Sequence, residues 1–214
     1  MTDAARGEGA ARRALLVLDF QVDFLQPGGR LPVAQDQVPG MLEAANRVIR
    51  AADARAMEVV YIGNEFDRWD LPANWFRNNA AVRGQPGARL DDRLIVINDH
   101  YFPKRRGNAF SNPRLGEFLQ SRKVRHVILA GVYANACVQF TAVAALRRGY
   151  RVTVLSDAVA AANDRKRGAA LQRMQRRGVE VADSTSVVGS ASSEFDDEMT
   201  DEPGHGALRR LSVE

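Results

Sequence analysis

The stretch RHVILAGVYANACVQFTAVAALRRGYRVTVLS, residues 125–156, decides the fold. Arg125 to Gly131 is almost uniformly apolar, the pattern of a strand buried on both faces. Asn135 to Arg148 then reads as a helix. It ends on Arg147 and Arg148, cations suited to the negative end of a helix, and is closed by Gly149. Tyr150 to Ser156 (YRVTVLS) is a second strand. Strand, helix and strand in this order form a βαβ unit, whose strands lie parallel under a crossover helix.

The same alternation extends in both directions. Ala14 to Phe20 (ALLVLDF) is a continuous apolar run, and Glu58 to Gly63 (EVVYIG) is another. Between them, Val38, Met41, Leu42, Ala45, Val48 and Ile49 recur at helical spacing, giving a helix from Val38 to about Ala56. Leu94 to Asn98 and His100 to Phe102 are short extended pieces, and Pro113 opens a helix to about Arg122. Downstream, Arg165 to Arg177 is a helix closed by Gly178, and Val179 to Ala182 is a last strand. With right-handed crossovers the expectation is an α/β protein, a Rossmann-like three-layer α/β/α fold with a mainly parallel six-stranded sheet. Residues 1–12 read as a flexible N-terminus, 13–190 as one domain, and 191–214 as an acidic tail. Residues 64–92, with Trp69 and Trp75, form a long irregular segment, and loops of that length are usually functional or cover a site.

Composition narrows the class. At 214 residues and 45% apolar, the chain can bury a large core without staples. Its single cysteine, Cys137, excludes an intramolecular disulfide. No run of about 18 apolar residues reads as a membrane span, and no signal peptide follows the N-terminal charges, so a cytoplasmic location is expected. Net charge is +4. The 191–214 tail holds seven acidic and two basic side chains, leaving +9 on the rest. That charge is scattered arginine without interleaved aromatics, which argues for a solvated surface rather than nucleic acid.

In open α/β sheets ligands sit beyond the carboxyl ends of the strands. That rim carries Asp19 after the first strand, Asn64 and Glu65 after the second, Lys104 after Tyr101-Phe102-Pro103, Val132 to Cys137 after the fourth, and Asp157 after the fifth. Asn135 fits an N-cap, which would put Cys137 in a first helical turn. There the helix dipole and free N–H groups favour a thiolate and suit an oxyanion. Asp19 is costly at the end of a buried strand unless paired. Asp157 reads as a structural cap.

These residues carry a resemblance to the isochorismatase-like cysteine hydrolases. ALLVLDFQVDFL (14–25) resembles their first-strand motif, with the catalytic aspartate at Asp19. Phe102-Pro103-Lys104 with Asn108-Ala109-Phe110 resembles the lysine motif. GVYANACVQFTAVAALRRG (131–149) followed by YRVTVLSDAVA resembles the nucleophile motif. The match spans roughly 13–188. The resemblance implies an Asp19–Lys104–Cys137 triad, with Asp19 as general base and Lys104 favouring the charged forms. It also implies a cis peptide at Val132–Tyr133, and an oxyanion hole from the Tyr133 and Cys137 N–H groups.

Two departures separate branches of that family. Its nicotinamidases hold a metal through an Asp-x-His pair and further histidines after the second strand. Here that region reads Asn64-Glu65-Phe66-Asp67-Arg68-Trp69-Asp70, and the three histidines are His100, His126 and His205. No metal and no cofactor is therefore expected, and Glu65 and Asp67 read as solvated carboxylates. The vinyl-ether hydrolases typically lack the cysteine that this chain keeps. The expectation is hydrolysis of a C–N bond in a small amide, carbamoyl compound or ureide through a thioester. A vinyl-ether hydrolase, or a non-catalytic binding protein on the same scaffold, is the alternative. Phe24, Asn64, Glu65, Trp75, Tyr101 and Phe110 are pocket candidates, along with Tyr133, Trp69 and Phe76. The family commonly forms dimers or tetramers, so a homodimer or homotetramer without nucleic-acid or membrane partners is expected.

Overall fold

A computed structural model describes residues 12–55 and 57–189. Six strands form one sheet: β1 (Arg13–Leu18), β2 (Met57–Asn64), β3 (Tyr101–Lys104), β4 (His126–Val132), β5 (Arg151–Ala160) and β6 (Glu180–Ala182). Their order is β3-β2-β1-β4-β5-β6, and every neighbouring pair is parallel. Alternation along β1 divides the core. Leu15 and Val17 face α2 (Val38–Ala51), while Ala14, Leu16 and Leu18 join the core that contains Leu115, Leu119, Ala142 and Met174. Those last four belong to α4 (Pro113–Ser121), α5 (Gln139–Leu146) and α6 (Asp164–Gln175). With α7 (Ser184–Gly189) packed on α2, helices cover both faces of the sheet. This is the expected three-layer α/β architecture.

Several boundaries differ from the sequence reading. The Val38 helix stops at Ala51 and gives way to a tight 3₁₀ turn at Asp53–Arg55. The extended piece expected at Leu94 to Asn98 pairs with no strand, and β3 runs from Tyr101 to Lys104. β5 continues through Asp157 to Ala160, because a pairing shift between Leu129 and Gly131 of β4 lets it kink and resume. Asp157 therefore lies within β5. Its carboxylate accepts from the Ser184 N–H and hydroxyl at 2.9 and 2.6 Å, which ties down the start of α7. The short helices α1 (Val22–Leu25) and α3 (Leu71–Phe76) and helix α7 escaped the sequence reading, being too short to show a helical period. The acidic tail 191–214 and the N-terminal residues 1–11 lie outside the described residues.

Segment 64–92 is anchored to the body by Asp23, a buried carboxylate. One Asp23 oxygen accepts from Ala81 N–H at 2.8 Å and the other from Arg30 N–H at 3.2 Å. A single bridge at Gln21–Leu90 reinforces the attachment, and one at Phe66–Val82 closes the segment on itself.

Candidate active site

The central strands β1 and β4 are neighbours whose connections depart to opposite sides of the sheet. That is the switch point where such sheets bind ligands. Asp19 immediately follows β1, and the turn carrying Cys137 follows β4. Lys104 is the last residue of β3, paired in register with Asn64, the last of β2. All four side chains converge. Lys104 Nζ donates to Asp19 Oδ2 at 2.9 Å and to Asn64 Oδ1 at 2.7 Å, and lies 3.4 Å from Cys137 Sγ. Asn64 Nδ2 is 3.9 Å from the same sulfur.

Asp19 has φ of +57°, in the left-handed region, where L-residues other than glycine lose about 1 kcal/mol or more. Its N–H is held by Ile62 O at 2.7 Å, and its carboxylate by the ammonium. Close approach of the two central strands requires a glycine at Gly131. A β-carbon there would strike the Leu18 carbonyl oxygen, and its φ is +141°.

Burial separates the trio. Asp19 and Lys104 are 1% and 2% exposed, whereas Cys137 keeps a partial opening to solvent. Cys137 is thus the member of the trio that keeps contact with solvent. Its turn, Ala134–Val138, is a wide π turn opened by Tyr133, whose carbonyl accepts from Ala136 and Val138 N–H at 2.9 and 3.2 Å. Tyr133, not Asn135, occupies the cap position, which corrects the sequence expectation. Asn135 lies inside the turn, its Oδ1 buried without a partner. The Val132–Tyr133 peptide is cis. Among the described residues, the Tyr133 N–H meets no backbone or side-chain acceptor.

Burial pushes the Asp19 carboxyl up, against the pull of the Lys104 ammonium. Burial works against the Lys104 charge, but the charges of Asp19 and Cys137 reverse that effect and hold its pKa above the usual value. Burial and the Asp19 charge push the Cys137 thiol up to about 12, against Lys104. The helix terminus, its free N–H groups and Lys104 favour an ionised sulfur, and burial together with the Asp19 charge opposes it. The second oxygen of Asp19, Oδ1, is buried with no partner, although a carboxylate seeks several donors.

The pocket candidates divide. Asn64 is drawn into the cluster, both ends of its amide engaged. Phe24 is buried with its ring edge-on to Tyr133 at 6.1 Å, and the Tyr133 hydroxyl donates to Leu31 O at 2.6 Å. Glu65 and Tyr101 line a neighbouring cleft of about 730 Å³ with Tyr61, Gln85, Arg89 and Val96. There Glu65 pairs with Arg83 at 3.0 Å, and burial with the Glu65 charge raises the Tyr101 phenol. Phe110 is not at the rim. It sits in the α4–α5 side of the core, stacked on Tyr150 at 5.9 Å. Trp75 and Phe76 pack on each other at 5.3 Å and are 76% and 81% exposed, and Trp69 is likewise exposed.

Gln21 escaped the sequence reading. It is fully buried. It accepts from Asn64 N–H at 2.8 Å, donates to Asn64 O at 2.8 Å, and also donates to Ala88 O. A glutamine directly after the apolar run Ala14 to Phe20, amid apolar neighbours, was the available signal.

The residues after β2 do not fit a metal centre. Glu65 is engaged by Arg83, Asp67 lies 3.8 Å from Arg105, and neither described histidine joins them in a ligand set. The His100 ring lies tilted against Phe118 with centroids 4.7 Å apart, and His126 meets Thr153 Oγ1 at 2.7 Å. Among the described residues no three His, Cys, Asp or Glu side chains gather as a ligand set. His205 lies outside them. None of the described helices is long and apolar enough to cross a membrane.

Comparison with known proteins gives a consistent result. The family described as the isochorismatase domain matches residues 13–186. A protein of Arabidopsis thaliana described as a probable inactive nicotinamidase is 32% identical over 179 residues, covering 78% of this chain and 89% of its own. The ureidoacrylate amidohydrolase RutB of Caulobacter segnis is 30% identical over 173 residues, covering 68% and 71%. The crystal structure of N-carbamoylsarcosine amidase from Thermoplasma acidophilum superposes with a TM-score of 0.70 at 28% identity, covering 81% and 96%.

Proposed function

The chain belongs to the isochorismatase family, and from that footing we propose that it hydrolyses a C–N bond of a small amide, carbamoyl compound or ureide through a thioester on Cys137. One observation carries the reading: a single ammonium, Lys104 Nζ, touches both the Asp19 carboxylate and the sulfur of the half-buried Cys137. Relatives named for ureidoacrylate and N-carbamoylsarcosine support the C–N bond and the carbamoyl class.

The chemistry follows from the proton inventory. Asp19 Oδ1 is the unpartnered base beside the thiol, so it takes the thiol proton as sulfur bonds to the carbonyl carbon. The carbonyl oxygen gains the negative charge, and the N–H groups of Tyr133 and Cys137 are the donors assigned to it. Collapse breaks the C–N bond, and Asp19 returns the proton to the departing nitrogen, releasing amine or ammonia. Water then attacks the thioester. Asp19 takes one of its protons, the C–S bond breaks, the acid leaves, and that proton restores the thiol. Lys104 stays charged throughout and neutralises whichever of carboxylate and thiolate is anionic.

Trapping tests this directly. Incubation with a pool of small amides and ureides, followed by acid quench and intact-mass analysis, is expected to show an acyl adduct on Cys137. A Cys137→Ala protein with undiminished turnover would favour the vinyl-ether chemistry, which uses Asp19 without a covalent step. No turnover by the wild type across the pool would favour a non-catalytic binding protein on the same scaffold; the Arabidopsis relative is described as a probable inactive nicotinamidase.

A further inference from the structure

The proposed triad leaves the shortest contact of its ammonium unexplained. Lys104 Nζ reaches Asn64 Oδ1 at 2.7 Å, closer than Asp19. A lysine ammonium only donates, so the atom facing it must be the amide oxygen. That fixes the rotation of the Asn64 amide and turns its Nδ2 toward Cys137 Sγ, 3.9 Å away. Asn64 is buried and cannot exchange these partners for water. Its main chain is held by the two bonds to Gln21, whose third bond grips Ala88 O.

From this geometry we infer that Asn64 is a positioning residue for the sulfur: its oxygen fixes the Lys104 ammonium, its N–H donates to the thiolate as that forms, and Gln21 holds it in register. The inference rests on the nucleophilic role proposed for Cys137. An ammonium has three N–H donors, and Asp19 Oδ2, Asn64 Oδ1 and Cys137 Sγ take all three. Lys104 then has no proton to offer a substrate, and Asp19 remains the group that moves protons. The charged and titratable groups facing the sulfur are Asp19 after β1, Lys104 on β3, and Tyr133 on its own turn. Asn64 is the neutral donor among them, and a neutral donor stabilises an anion without adding a competing charge.

The test uses iodoacetamide on the full-length protein, because its rate reports thiolate fraction without a substrate. Between pH 7 and 9 the second-order rate of Cys137 alkylation is expected to fall about tenfold in Asn64→Ala, corresponding to about one pK unit. In the isosteric Asn64→Asp, which loses the donor and adds a charge, it is expected to fall further. Gln21→Leu should give a smaller fall in the same direction. On an amide that the wild type turns over, kcat should fall with the alkylation rate while KM holds. A merely structural role would lower thermal stability and leave the alkylation rate per folded molecule unmoved. Rates unchanged or raised in both Asn64 variants, measured on protein shown folded by circular dichroism, overturn the assignment. If those rates fall but the wild type hydrolyses no amide, the assignment of Asn64 stands and the proposed hydrolysis fails.

Discussion

Lys104 Nζ and Asp19 Oδ2 meet at 2.9 Å across 85 residues of chain, with both side chains sealed from water. Such a pair contributes little net stability, because desolvating two charges offsets most of their attraction. Breaking it leaves one charge buried alone. Lys104→Met or Asp19→Leu alone should therefore cost about 3–5 kcal/mol in urea denaturation, and the double variant less than either. Additive losses would show that the two charges are not coupled. Asp19→Asn keeps the shape and should remain folded, with turnover abolished.

Cys137 gives the sharpest departure from ordinary thiol behaviour. Burial and Asp19 push its pKa up to about 12, which favours the thiol form across the neutral range. Alkylation by iodoacetamide at pH 7 should be at least tenfold slower than that of a free thiol. It should climb about tenfold per pH unit up to pH 9 without a plateau. A plateau near neutrality would mean that the sulfur rests as a thiolate.

The sheet, its parallel sense and the three groups of the trio were legible because each rests on local pattern: apolar runs, glycine stops and residues at strand ends. Asn64 was legible as a rim residue but not in its role, since that depends on the β2–β3 register bringing it beside Lys104. Gln21 and Asp23 were passed over because their partners, Ala88 and Ala81, lie 67 and 58 residues away and are contacted through the main chain, which no side-chain motif records. Phe110 was misplaced for the converse reason. It lies in a motif next to site residues, but the 3₁₀ turn at Ala109–Ser111 directs it into the core. The helix placement that favours an ionised sulfur is visible in sequence, whereas the burial that opposes it is not.

At the opposite end of the sheet, His126 is held neutral. Burial, with Arg151 and Arg13 nearby, lowers its pKa from 6.5 to about 4, Glu180 opposing. Thr153 Oγ1 gives its proton to Glu180 at 3.0 Å and so accepts from His126 Nε2 at 2.7 Å. A lowered folded-state pKa means that the unfolded chain binds the proton first. Stability from this group is present above pH 6.5 and is lost as pH falls toward about 4. His126→Gln can keep the donor to Thr153 without titrating. The urea midpoint of the wild type should therefore fall more steeply between pH 7 and 4.5 than that of the variant. Parallel slopes would remove His126 from the acid response.

Two glycines outside the site test whether the anchoring of segment 64–92 is as tight as Asp23 indicates. A β-carbon at Gly87 would run into the Asp23 carboxylate, which is buried and committed to Ala81 and Arg30. Gly87→Ala must displace that carboxylate or the turn, and either movement strands a buried acceptor, at a cost of about 1–3 kcal/mol. Gly168, inside α6, has open space at the same point and an ordinary helical φ, so Gly168→Ala should stabilise the protein by about 0.5–1 kcal/mol. Thermal unfolding should thus move in opposite directions for one chemical change. A Gly87→Ala protein as stable as the wild type would show that Asp23 yields, and that the long segment is tied to the body by something other than this carboxylate.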